Sequence, residues 1–320
     1  MRIVIGDDRQ HQSRSINIRK PEMTIKRIGL IGVGLMGHGI GKNIIAKGFD
    51  LTIVAHKNRV PVESLKALGA REAENPTALA AICDLVILCV TGSPQVEDAL
   101  YATSGLLKGA KPGLIIADCS TAEPASTLRI AEDLAARQIH FLDTPLTRTP
   151  KEAEAGKLGL MAGGDAALIA KIKPVLDCFA DTIIHAGPVG SAHQLKLINN
   201  FLSLAHAAVA AEAITVAAKA GVSMQALNDI VTAGGANSVM FERLIKVPLH
   251  DDDTAAKFAI QNARKDMRYY TNMTEQLPVA SFLAEQVHQL YVLAENRGYG
   301  ERFVPRMIDM MMEINGVGKR

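Results

Sequence analysis

The stretch Lys26 to Gly41 constrains the chain more than any other. An apolar run long enough for one buried strand is followed by Gly32, Gly34 and Gly37 in G-x-G-x-x-G spacing. That spacing predicts a tight turn at Gly32, close approach of a pyrophosphate to bare backbone at Gly34, and close packing of helix on strand at Gly37. A helix-like segment continues to Lys47 and stops at Gly48. Its N-terminus would offer unpaired N–H groups and a positive dipole end to phosphate. Taken alone, the pattern also suits an ordinary glycine-rich strand–helix turn. A second apolar strand at Leu51 to Ala55 completes a βαβ unit, and the combination reads as a dinucleotide site. Its contacts would be Gly32, Val33, Gly34, Leu35, Met36 and Gly37.

From Ile28 to about His185 the pattern alternates. Strands are expected at 28–31, 51–55, 85–90, 114–117, 139–142 and 182–185, and helices at 36–47, 61–68, 94–101, 124–137 and 165–178. Nearly all-apolar strands alternating with helices predict a parallel sheet covered on both faces. Lys157 to Met161, with Gly163-Gly164 behind it, fits an antiparallel strand near the edge. After Gly187-Pro188-Val189-Gly190 the texture changes: Ser191 to Ala220 reads as one alanine-rich helix, ended by Gly221. A helix apolar nearly all round is expected to be buried. The rest is helical in period. The fold class is therefore α/β: a Rossmann dinucleotide-binding domain over 23–188, then an all-helical substrate and dimerisation domain over 189–320. Asp7 to Lys20 is polar and charged, and residues 1–22 read as an extension outside the fold or a rarely used upstream start, with an added edge strand as the competing view.

A net charge of +2 shows no strongly basic face for nucleic acid, and the absence of tryptophan argues against base-stacking platforms. No uninterrupted apolar run reaches about 18 residues, so no membrane span is expected. The N-terminus has no apolar segment of signal-peptide type. Cys83, Cys89, Cys119 and Cys178 have no C-x-x-C spacing. They read as small buried hydrophobes in a reducing, cytoplasmic compartment, not as disulfides or metal ligands.

The end of the second strand should meet the adenosine ribose. A carboxylate there selects a free 2′-hydroxyl. Here Ala55 is followed by His56, Lys57, Asn58 and Arg59, which favours a 2′-phosphate and so NADP, with NAD possible; the plain alternative is a solvated basic loop. Asp118-Cys119-Ser120-Thr121 follows the fourth strand. Its hydroxyls can hold an anionic substrate or a carboxamide, or cap the next helix. On the long helix, Lys196 and Asn200 are i,i+4 and share a face, with Asn199 beside them. Polar groups on an apolar buried helix need partners or work. A lysine beside a cationic nicotinamide would have a lowered pKa, suited to acid–base chemistry; the alternative is a structural ion pair across the domain junction. His193 fits a hydrogen-bonded core histidine. Lys265-Asp266 alone reads as a solvated helical turn.

Together these residues resemble the β-hydroxyacid dehydrogenase family over roughly residues 25–315. The family's G-x-G-x-M-G appears as Gly32 to Gly37 and its D-x-S-T as Asp118 to Thr121. Its G-x-x-G-x-x-x-K-x-x-N-N appears as Gly187, Gly190, Lys196 (offset by extra residues), Asn199 and Asn200, and its late K-D as Lys265-Asp266. The resemblance implies hydride transfer between a nicotinamide and a carbon bearing a hydroxyl or carbonyl. Lys196 would shuttle the proton and Asn200 would hold the oxygen. Ser120, Thr121 and the loop after the fifth strand would grip a small anionic substrate. Lys265 would reach toward cofactor or substrate. A homodimer or homotetramer built through the helical domain is implied as well.

Two departures stand out. Where the family loop usually carries glycines, this chain has Thr147, Arg148 and Thr149, similar to sulfolactaldehyde reductase. Arg148 could fork onto a carboxylate or sulfonate, or turn away as a surface arginine. Val90-Thr91-Gly92 replaces a usual Leu-Pro near the adenosine side. The expected substrate is a short semialdehyde or hydroxyacid of tartronate semialdehyde or 3-hydroxyisobutyrate type. A sulfolactaldehyde-type substrate and a non-catalytic nucleotide-binding scaffold are the alternatives. Imine reduction is weaker because that branch generally replaces the lysine.

Overall fold

A computed structural model describes residues 25–318; the extension expected at 1–22 lies outside them. The first half alternates β1 (Arg27–Ile31), α1 (Leu35–Ala46), β2 (Asp50–Val54), α2 (Val60–Ala67), β3 (Arg71–Ala73) and α3 (Pro76–Ile82). It continues through β4 (Leu85–Leu88), α4 (Ser93–Tyr101), β5 (Ile115–Asp118), α5 (Pro124–Ala136) and β6 (His140–Asp143). Then come β7 (Leu146–Thr147), α6 (Pro150–Glu154), β8 (Leu158–Gly163), α7 (Ala166–Leu176) and β9 (Ala180–Gly187). The strands lie in the order β3-β2-β1-β4-β5-β6-β8-β7, with β9 beside β8. All pairs from β3 to β6 are parallel, as the apolar strands require. β8 runs antiparallel to β6 and β7, which places the Lys157–Met161 strand as expected, and parallel to β9.

Strand order reverses between β1 and β4, and a crevice opens at the carboxyl ends of strands on either side of such a switch. Gly32 leaves β1 there, and Cys89 and Val90 leave β4. One sheet face packs Ile28, Leu30, Ile40, Ile44 and Ile53 into a core; the other packs Leu79, Val86, Leu88, Val96 and Ile116.

The second half is helical: α8 (Ser191–Lys219), α9 (Met224–Thr232), α10 (Val239–Leu244), α11 (Lys246–His250), α12 (Ile260–Gln276), α13 (Phe282–Ala294) and α14 (Met307–Ile314). α8 ends where expected. Gly221 adopts φ +78° and donates to Ala218 O, while Val222 N donates to Ala217 O, a left-handed cap that satisfies the last carbonyls.

The ground for expecting no membrane span, and the expectation that α8 is buried all round, both need correction. By length and hydropathy it does qualify as a span, yet it forms the spine on which α10, α12, α13 and α14 pack. Nor is it buried all round: Ile198, Leu202, Val209 and Val216 are 43%, 53%, 67% and 61% exposed and line one face. The inner face, with Leu204, Ala207, Ala211 and Ile214, joins the helical core.

Candidate active site

The glycine turn is shaped for a phosphate. Gly32 has φ +95°, and a Cβ there would fall 2.1 Å from Cys89 O. A Cβ on Gly37 would fall 1.8 Å from Gly32 O, so only glycine lets α1 pack on the end of β1. Gly34 differs: nothing lies within 4 Å of a Cβ built on it, and no side chain caps α1. Bare backbone, free helix N–H groups and open space above them fit a dinucleotide pyrophosphate. Val33 is buried, Leu35 exposed and Met36 packed against the core, so any approach there is to main chain.

Beyond β2 the structure corrects the picture of a loop holding cations only. His56 and Lys57 are exposed. Arg59 forks onto Glu72 of β3, Nη1 to Oε1 at 2.6 Å and Nη2 to Oε2 at 3.0 Å, and also meets Glu63. Both partners are distant enough from the strand end that the local sequence looked free of carboxylates.

At the next strand ends, Val90 N donates to Ser120 Oγ at 3.0 Å and Ser120 N donates to Asp118 Oδ1 at 2.9 Å. Ser120 thus ties the β4 and β5 loops together. The buried His193 ring lies beneath: Nε2 donates to Ser120 O at 3.1 Å, and Nδ1 meets Thr127 Oγ1 at 2.7 Å. A carbonyl only accepts, so the proton belongs on Nε2. Asp118 is fully buried; its Oδ2 has no hydrogen-bond partner among the described residues, and burial pushes its carboxyl up. Asp143, also buried, accepts from Gly190 N and His193 N, each at 2.9 Å. It therefore caps α8 from the end of β6. A Cβ on Gly163 would fall 2.4 Å from that carboxylate, so β8 yields space for it.

α8 and α12 supply the remaining groups. Asn200 Nδ2 donates to Asp266 Oδ2 at 2.6 Å, and Asn199 Nδ2 donates to Asn200 Oδ1 at 3.3 Å. Lys265 Nζ lies 2.7 Å from Asp266 Oδ1 and donates to Thr121 O at 3.1 Å. Lys265 is therefore not the solvated charge its local sequence suggested; its ammonium also lies 4.8 Å from the Tyr269 ring centroid. Lys196 is half-buried and makes no hydrogen bond or ion pair among the described residues. Burial brings its ammonium down to about 8, opposed by Asp266 and helped by Lys265. A structural ion pair at Lys196 is thus not what the geometry holds.

Lys265, Tyr269 and Asn272 lie at i, i+4 and i+7 on α12 and fasten it to the sheet half. Tyr269 Oη accepts from Ser93 N at 3.2 Å, and Asn272 Nδ2 donates to Glu123 Oε1 at 2.9 Å. A Cβ on Gly92 would fall 2.8 Å from the Tyr269 hydroxyl, so Thr91-Gly92 is where the β4 loop and α12 meet. A continuous path results: glycine turn, Cys89–Val90, Ser120–Thr121, Lys265, Asp266, Asn200. Asp266, Asp143 and His193 were not among the expected site residues. A lone acid in an otherwise apolar strand end, and the polar i,i+4,i+7 face of α12, were the signals available.

Three expected substrate contacts point elsewhere. Thr147 in β7 faces Gly159, where a Cβ would fall 2.3 Å from Thr147 Oγ1. Thr149 forms a capping box with Glu152 at the start of α6. Arg148 sits at φ +76° and turns its guanidinium to Asp181 of β9, 2.8 Å away, to Thr182 Oγ1 and to Lys157 O.

A family profile described as the NAD binding domain of 6-phosphogluconate dehydrogenase matches residues 27–187. A second, described as NAD-binding of NADP-dependent 3-hydroxyisobutyrate dehydrogenase, matches residues 190–311. Among curated relatives, L-threonate dehydrogenase of Pectobacterium atrosepticum is 30% identical over 86% of this chain and 90% of its own length. The 2-(hydroxymethyl)glutarate dehydrogenase of Eubacterium barkeri is 29% identical over 92% and 98% respectively. The solved structure of 3-hydroxyisobutyrate dehydrogenase from Salmonella typhimurium is similar with a TM-score of 0.80 and 28% identity, covering 89% of this chain and 99% of that one.

Proposed function

This chain belongs to the β-hydroxyacid dehydrogenase family and is an NAD(P)-dependent oxidoreductase acting on CH–OH groups, and we propose that Lys196 is its general acid–base group. Bound nicotinamide supplies or accepts the hydride. In reduction, Lys196 Nζ gives a proton to the substrate oxygen as the carbonyl carbon becomes C–H; in oxidation the neutral amine takes that proton back. The observation that carries this reading is a half-buried lysine with no ion-pair partner among the described residues, its ammonium at about 8, beside a hydrogen-bonded amide. An acid–base group works best when its pKa lies near the working pH.

Asn200 has one amide N–H on Asp266, which fixes the amide orientation because a carboxylate only accepts. The second N–H is left to hold the substrate oxygen. Ser120, Thr121 and Asn199 complete the substrate side. Gly32, Val33, Gly34, Leu35, Met36 and Gly37 hold the pyrophosphate through main chain. Val90, Thr91 and Lys265 border the nucleotide, and His56, Lys57 and Arg59 face the ribose. We take the substrate to be a small anionic hydroxyacid or semialdehyde of tartronate semialdehyde or 3-hydroxyisobutyrate type. Lys196→Ala tests the assignment: turnover should fall about 10²- to 10⁴-fold with nucleotide affinity kept. Normal turnover would remove the mechanism.

One observation supports a sulfolactaldehyde-type substrate as a second reading. Arg148 occupies left-handed backbone that costs a non-glycine residue about 1 kcal/mol, a cost a recognition role would justify. Its ion pair is solvent-exposed and weakly held, so an anion could draw it inward. A substrate panel on wild type and Arg148→Gly decides: unchanged substrate ranking clears Arg148 of recognition. We also infer a homo-oligomer closed by the exposed Ile198, Leu202, Val209 and Val216 face of α8, in the cytoplasm. Light scattering on wild type and Val209→Glu tests the assembly, with a monomeric wild type counting against it.

A further inference from the structure

The Arg59 network carries a consequence for cofactor choice. Arg59 stands where β2 enters α2, and Glu72 of β3 is in register with Ile53 of β2. Glu72 accepts from both terminal guanidinium nitrogens, at 2.6 and 3.0 Å, and Glu63 accepts from Nη2 as well. Lys66 closes the set, 3.1 Å from Glu72 and 3.4 Å from Glu63. Two cations and two carboxylates leave this corner neutral.

Resting on the cofactor reading above, we propose that Glu72 is a cofactor-discriminating residue: by holding the Arg59 fork it competes with the ribose 2′-phosphate of NADP, so that the chain accepts NAD nearly as well. A phosphate dianion entering here must either displace a carboxylate from Arg59 or take its remaining N–H donors, and in both cases it lies close to the two carboxylates. A 2′-hydroxyl carries no charge and meets neither obstacle. Lys57 and His56, exposed and outside the network, remain to attract a phosphate, so NADP is weakened rather than refused. Glu72 is only partly exposed, at 24%, and Arg59 holds its carboxyl down at about 2. It therefore keeps its charge throughout the physiological range.

The chain has no tryptophan, so the emission of the reduced nucleotides themselves is the readout of binding. Titrations with NADPH and NADH are made on wild type, Glu72→Gln, Arg59→Gln and the double variant. Glu72→Gln should bind NADPH about five- to tenfold more tightly, the effect of one charge a few ångströms away in a solvated site, with NADH within about twofold. The gain should vanish in the double variant. Equal tightening of both nucleotides, or none, in a variant with the wild-type circular dichroism spectrum overturns the proposal. Should Glu72→Gln fail to fold, wild type still decides by competition between ADP-ribose and its 2′-phosphate. A preference for the phosphate below about threefold supports the role, and one near a hundredfold overturns it. Failure of wild type to bind either reduced nucleotide would instead remove the cofactor reading beneath it.

Discussion

Asn200 Nδ2 donates to Asp266 Oδ2 at 2.6 Å, joining α8 to α12 beside Lys196. Asp266 is 2% exposed and also meets Lys265 Nζ at 2.7 Å. One buried carboxylate thus orients the amide, holds one lysine and raises the proton affinity of another. The Lys265 ion pair lies at contact distance but is poorly aligned for a hydrogen bond, since Asp266 Oδ1 has no hydrogen-bond partner among the described residues. The well-aligned bond is the one to Asn200.

Asn200→Ala should lower kcat about 10²-fold, the usual cost of removing one donor aimed at a reacting oxygen. NADH and NADPH affinities should stay within about twofold, because the amide faces Asp266 rather than the glycine turn. Steady-state kinetics with nucleotide titrations check this. A rise in KM with kcat intact would mean that Asn200 only binds the substrate.

Asp143 should matter to folding before chemistry. It satisfies two helix N–H groups at the start of α8, those of Gly190 and His193. Asp143→Ala leaves both buried and unmet, which costs about 2–4 kcal/mol. Urea unfolding should show it as a lower midpoint. A midpoint within error of wild type would show that solvent or another acceptor reaches the helix start.

Two glycines in the turn should separate stability from binding. Gly34→Ala places its Cβ in open space, so the melting temperature should be unchanged while nucleotide affinity falls about tenfold or more, since that space is the expected pyrophosphate position. Gly37→Ala drives a Cβ to 1.8 Å from Gly32 O, and the strain should exceed the roughly 1 kcal/mol that alanine contributes to a helix. Calorimetry and nucleotide titration on both variants check the pair. Equal loss of stability in both would contradict the geometry.

What the sequence disclosed was what local pattern encodes. The glycine turn, the alternating strands and α8 each declare themselves within about 15–30 consecutive residues, through spacing and period. β7 and β3 span only Leu146–Thr147 and Arg71–Ala73, too short to carry a period. α3, over Pro76–Ile82, has an Asn75 cap and a proline at its start but follows a charged stretch. The site was legible as residue types and less so as partnerships. Arg59 and Glu72 are 13 residues apart, Arg148 and Asp181 33, and Asn200 and Asp266 66. Only the tertiary fold decides which charge meets which, so Arg148 reads as a substrate-binding fork or a surface arginine, and Lys265, by its local sequence alone, as solvated.

On the proposed role of Lys196, burial lowers the pH at which it works and Asp266 raises it. Oxidation needs the neutral amine to take a proton, so its kcat/KM should rise as pH passes through about 8, where the ammonium titrates. Reduction needs the ammonium and should fall over the same interval. Burial and the Lys265 charge both favour the neutral amine, while Asp266 favours the charged form. Asp266→Asn removes the one charge that favours the ammonium, so both midpoints should move to lower pH. Initial rates across the neutral and alkaline range, in both directions, give the midpoints for wild type and variant. Lys265→Met removes a neighbouring positive charge that favours the neutral amine and should move them upward. Midpoints that stay fixed in both variants, or that move the same way, would mean the titrating group in turnover is not Lys196.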